Sequence, residues 1–173
     1  MVGSPPDFLG LLRTLAAYRV EFIIVDGVCA VLHGAPVTTF DLDLVHSRQP
    51  DNLERLVEAL DELEAYYRGR GSQRLRPTMN LLGSPGHHLF MTRFGPLDIL
   101  GTIGDGHDYQ DLIGRTVEYD VDGLCLRLLD LNVLIAVKEE TGHDKDLAVL
   151  PLLRHTLAEK AVKSEKENEM RNL

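Results

Sequence analysis

Asp41-Leu42-Asp43-Leu44-Val45 decides how this chain is read, because two carboxylates stand two residues apart in an otherwise apolar run. In a strand, side chains alternate between faces, so Asp41 and Asp43 point one way while Leu42 and Leu44 point the other. Two like charges side by side are costly unless a cation or a strong donor array lies between them. A divalent metal bound by oxygen satisfies the pair most cheaply, and Mg²⁺ is typically held by one or two carboxylates plus substrate phosphates. That is a phosphoryl-transfer site in outline.

Upstream lies a glycine-punctuated segment, Val25-Asp26-Gly27-Val28-Cys29-Ala30-Val31-Leu32-His33-Gly34. The β-branched and aromatic run 21–25 predicts a strand, and 27–33 a short helix ended by Gly34 and Pro36. Apolar residues Phe8, Leu11, Leu12 and Leu15 predict an amphipathic helix over 7–19, and Leu53, Leu56, Val57 and Leu60 another over 50–63. Residues 68–87 lack periodicity and read as a long surface loop. Phe94-Gly95-Pro96 and Asp122-Gly123 each divide a pair of strands, predicting two hairpins. Asp130 caps a helix to Thr141, Gly142 stops it, and Asp144 starts a second helix to Lys163.

The order predicts an α+β fold, a mixed and largely antiparallel sheet with helices packed on one side, followed by a C-terminal helical pair. We expect a core over 1–128, helices packed on it over 129–163, and a frayed polar tail over 164–173.

Composition narrows the function classes. The net charge of −9 argues against non-specific DNA or RNA coating, which runs on phosphate neutralisation. No apolar run approaches a membrane span, and Met1–Leu12 has no export-signal pattern. Two unpaired cysteines, Cys29 and Cys125, fit reduced thiols in a cytoplasmic protein. His87, His88, His107 and His143 match no zinc-ligand spacing. The arginines at 68, 70, 74 and 76 read as a solvated loop.

Taken together, an apolar strand, Gly27, a short helix, His33-Gly34-Ala35-Pro36, Thr39, Asp41-Leu42-Asp43, Asp98 within Gly95-Pro96-Leu97-Asp98-Ile99-Leu100, and Gly142-His143-Asp144-Lys145-Asp146-Leu147 form a pattern. It resembles the DNA polymerase β-like nucleotidyltransferase superfamily over roughly residues 18–155, and among its members the small bacterial abortive-infection and toxin–antitoxin nucleotidyltransferases. The resemblance implies that Asp41, Asp43 and Asp98 hold two Mg²⁺ ions, and that Asp98 also activates the acceptor hydroxyl. Gly27, Thr39 and Lys145 would bind the nucleoside triphosphate. The implied activity is transfer of a nucleoside monophosphate from an NTP to a hydroxyl of RNA, including a tRNA end, or of a partner protein, with a cognate antitoxin as a further implied partner.

Two positions depart from the family pattern. Asp26 stands where relatives carry a second Gly or Ser, and Val37 where many carry a basic residue. A carboxylate at 26 either repels a triphosphate or caps the following helix. Together, Asp26 and Val37 motivate the alternative: a catalytically weak or silent binding or regulatory protein that keeps the fold.

Overall fold

A computed structural model describes residues 3–173. The elements follow in the order α1 (Phe8–Ala17), β1 (Phe22–Val25), α2 (Asp26–Leu32), β2 (Leu42–His46), α3 (Pro50–Glu62), β3 (Tyr66–Tyr67), α4 (Met79–Leu82), β4 (His87–Thr92), β5 (Gly95–Leu100), β6 (Thr102–Ile103), β7 (His107–Asp108), α5 (Tyr109–Leu112), β8 (Thr116–Val121), β9 (Leu124–Leu129), α6 (Leu131–Thr141) and α7 (Asp144–Arg171). Seven strands form one sheet in the order β3-β4-β5-β2-β1-β9-β8. Two of its joins, β2 with β5 and β1 with β9, are parallel. The other four are antiparallel, so the sheet is mixed and largely antiparallel, within an α+β fold.

Pairing in this sheet sets the site. β2 lies between β1 and β5, and its register places Asp43 beside Val25 on one flank and beside Asp98 on the other. Residues in register across a sheet share a face, so the two aspartates project together although 55 positions separate them in the chain. On the opposite face Ile24, Leu42, Leu44, Leu97 and Ile99 are completely buried, as are Leu11 and Leu15 of α1 and Leu56 and Leu60 of α3. This packing fixes the strand register, because a slip of one residue would turn the carboxylates into the core.

Both predicted hairpins are present. In the β8–β9 turn Asp122 and Gly123 take positive φ values, 49° and 82°, as a two-residue turn of the Asp-Gly kind requires. The segment 68–87 is less irregular than its composition suggests. It contains α4, capped by the Thr78 hydroxyl accepting from the Leu81 N–H, and Leu82 plugs the core with no exposure. β3, α4, β6, β7 and α5 are two to four residues long, too short to carry a periodic signal.

The last helix also differs from expectation. α7 continues to Arg171 where an end at Lys163 and a frayed tail were expected. Its final turns are rich in Ala, Glu and Lys, strong helix formers, and they form helix while burying nothing beyond Leu157.

Candidate active site

Asp41 ends the loop entering β2, Asp43 sits within β2, and Asp98 lies in β5. The three carboxyl groups each present an oxygen within 4.8 Å of the others. Asp98 is only 6% exposed. Burial, then the charges of Asp26, Asp98 and Asp41, push the Asp43 carboxyl up to about 8. Burial also raises the pKa of Asp98, against the pull of Arg68, whose Nη2 donates to Asp98 Oδ1 at 2.7 Å. The other guanidinium arm, Nη1, donates to the Phe90 carbonyl at 2.7 Å. An oxygen-only donor set with an uncompensated carboxylate at its centre fits a hard divalent cation such as Mg²⁺. Among the described residues this is the cluster able to hold a metal; the histidines form none.

The turn after β1 is tightly specified. Asp26 takes φ 57°, a left-handed conformation that costs a non-glycine residue about 1 kcal/mol. At Gly27 an added Cβ would come within 2.6 Å of Thr39 Oγ1, so only glycine fits beneath that side chain. Thr39 donates its hydroxyl to the Asp41 carbonyl at 3.1 Å, tying the turn to the start of the acidic strand. Asp26 does not cap α2: the cap position is Val25, and no side chain caps that end.

The Asp26 carboxylate has another partner. Lys138 of α6 donates from Nζ to Asp26 Oδ1 at 2.6 Å and to Asp146 Oδ1 at 3.0 Å. Thr141 donates to the remaining Asp146 oxygen at 3.0 Å. Lys138 is 7% exposed; burial pulls its pKa down, but the two carboxylates outweigh burial and hold it above the ordinary lysine range. Asp146 is lowered, its burial outweighed by Lys138. Sequence reading missed Lys138. A signal existed, since it follows Leu131 by seven and Leu134 by four, which places it on the buried stripe of α6.

Two connected lobes open onto the carboxylates. The first, about 330 Å³, is lined by Gly27, Val37, Thr39, Phe40, Asp41 and Lys145. Phe40 stands at its rim, 70% exposed. The second, about 390 Å³, has walls from Leu89, Leu100, Ile103, Leu134 and Val137. Asp26, Asp43, Asp98, Lys138, Lys145 and Asp146 line both. Lys145, in the first turn of α7, forms no ion pair among the described residues. All six residues proposed from sequence, Gly27, Thr39, Asp41, Asp43, Asp98 and Lys145, therefore line one cleft.

The remaining polar groups have structural partners. Cys29 is buried, its thiol pushed up to about 12 by that burial, and it donates to the Leu129 carbonyl at 3.3 Å. His33 contacts the same carbonyl at 2.8 Å through Nε2, and Lys160 of α7 donates to its Nδ1 at 2.6 Å. Arg76 pairs with Asp61, and Arg74 stacks over Tyr66. Arg68 is thus the member of its cluster that turns inward to the site, a role its loop-like context concealed.

The sequence matches no family model and no curated protein. Solved structures resemble it throughout. A candidate nucleotidyltransferase from Thermotoga maritima is 18% identical, with 92% of this chain covered, 93% of that one and a TM-score of 0.50. The lincosamide antibiotic adenylyltransferase LnuA, bound to lincomycin, is 12% identical over 84% of this chain and 93% of its own, with a TM-score of 0.58. The antibiotic-resistance factor ANT(2'')-Ia is 12% identical over 95% and 97%, with a TM-score of 0.55. The chain shares the fold of these nucleotidyltransferase structures. No helix among the described residues is long and apolar enough to cross a membrane.

Proposed function

We propose that the protein is a Mg²⁺-dependent nucleotidyltransferase that moves a nucleoside monophosphate from an NTP to a hydroxyl. The observation that carries this reading is the convergence of Asp41, Asp43 and Asp98 at a cleft between two lobes. Asp41, Asp43 and Asp98 would hold the metal. Bound there, Mg²⁺ supplies neutralisation of the triphosphate and of charge on the attacking and leaving oxygens.

The protein's own contribution is positioning and proton transfer. The first lobe takes the nucleotide: the Gly27 turn presents backbone N–H groups, Lys145 supplies a point charge for the phosphates, and Phe40 offers a face to the base. Asp98, raised by burial and oriented by Arg68, accepts the acceptor hydroxyl's proton. The acceptor oxygen bonds to the α-phosphorus, the bond to the bridging oxygen breaks, and pyrophosphate leaves with that electron pair.

The silent-protein alternative rests on Asp26 and Val37: Lys138 takes up the Asp26 charge, while Val37, which lines the first lobe, supplies no charge to the phosphates. The RNA, protein and antitoxin partners expected from sequence rest on the resemblance alone. Incubation with each α-labelled NTP, Mg²⁺ and a cell extract tests the reading. Label transfer by wild type and none by Asp43→Ala is expected; equal transfer by both, or none by either, refutes it.

A further inference from the structure

We propose that the second lobe seats the acceptor, and that the acceptor is a compact molecule carrying its hydroxyl on an apolar body, uncharged or cationic. This rests on the nucleotidyl-transfer reading and names its second substrate.

Sheet register makes the first argument. Leu89 of β4 lies directly across from Asp98 of β5, so a leucine shares the face of the proposed base. Leu89 is 42% exposed, and a molecule delivering its hydroxyl to Asp98 would cover it. Leu100 lies two residues further along the same strand face, and Leu134 and Val137 of α6 form the opposite wall. A volume near 390 Å³ falls in the range of small-molecule sites.

Charge makes the second. Four carboxylates line the lobe, Asp26, Asp43, Asp98 and Asp146, against Lys138 and Lys145 and the imidazoles of His87 and His143. Arg68 pairs with Asp98, which leaves Asp43 as the surplus negative group. A triphosphate carries about four negative charges, which two Mg²⁺ ions would offset, so the acidic surplus persists in the loaded site. Nucleic-acid affinity runs on phosphate neutralisation by Lys and Arg. None of Arg68, Arg70, Arg74 and Arg76 is among the described residues lining this lobe, and the Arg68 guanidinium is already engaged by Asp98 and the Phe90 carbonyl. The lobe therefore favours a neutral or cationic apolar body over a polyanionic backbone.

Linear alkane-1,2-diols from propane to hexane test this as acceptors, with a mixture of the four α-labelled NTPs and Mg²⁺. Each added methylene is expected to raise kcat/KM about fourfold until the lobe fills. Leu89→Ser should cut that gain below twofold. In the protein without metal or nucleotide, hexane-1,2-diol should shift the methyl NMR signals of Leu89, Leu134 and Val137. Calorimetry of Mg²⁺–NTP binding separates the two layers. If no NTP binds, the transfer reading itself fails and the acceptor assignment with it. If NTP binds but the series is flat and no methyl moves, or RNA is labelled in place of the diols, the acceptor assignment fails alone.

Discussion

Two sets of carboxylates face the same cleft and are balanced in opposite ways. Asp26 and Asp146 divide one lysine between them, with Thr141 completing the hydrogen bonding. Their charge is settled inside the protein. Asp41, Asp43 and Asp98 share only Arg68, which is committed to one oxygen of Asp98, and Asp43 has no basic partner among the described residues. The consequence is visible in proton affinity: Asp146 lies below the usual carboxylate range, while Asp43 is driven up to about 8. The first set holds α6 and α7 to the turn after β1. The second is left unbalanced, and in our proposal a cation from outside balances it.

The largest effect that would break this contrast is on catalysis. Asp43→Ala should lower nucleotidyl transfer by at least about 10³-fold while the protein stays folded. A transfer rate within tenfold of wild type would show that the acidic set is not the reaction centre.

Next comes the balanced set. Lys138→Met leaves Asp146 buried without its partner and should cost about 3 kcal/mol, roughly 10 °C in Tm. Thermal melts check this, and an unchanged Tm would mean that the ion pairs contribute nothing net.

Proton linkage sharpens the comparison further. Asp43 holds its proton more tightly in the fold than in the unfolded chain, where it ionises near pH 3.8. Between about pH 4 and pH 8 the native state therefore binds the extra proton. Stability of the metal-free protein should fall as pH rises through that window, by up to about 5 kcal/mol. Saturating Mg²⁺ should restore it, most strongly at the alkaline end, and Asp41→Asn with Asp43→Asn should flatten the slope. A melt series rising with pH would contradict this.

The smallest effect is expected at Asp26→Gly. Glycine removes the left-handed strain of about 1 kcal/mol but deprives Lys138 of one of its two carboxylates. The changes oppose one another, so Tm should move little while nucleotide affinity, read by calorimetry, rises severalfold at most.

Much of this was legible in the residues. Alternation in Asp41–Val45, the Asp122-Gly123 turn and the apolar spacing of α1 and α3 are local patterns, and each strand or helix they announce is present. Gly27, Thr39 and Lys145 came from the family resemblance, and they line the cleft with the carboxylates. What escaped was pairing across distance. Lys138 meets Asp26 over 112 positions and Arg68 meets Asp98 over 30, and no periodicity encodes either. Asp26 is the clearest case. Read alone it is a repulsive intruder in an anion-binding turn; in the fold it is one half of an ion pair whose other half lies in α6.

The central claim is that Asp41, Asp43 and Asp98 form a divalent-cation site, and titration calorimetry of Mn²⁺ into the protein at pH 8 tests it most directly. The account predicts saturable binding by wild type and none by Asp41→Asn with Asp43→Asn, with Lys145→Ala keeping the metal. Equal heats from wild type and the double aspartate variant would contradict it.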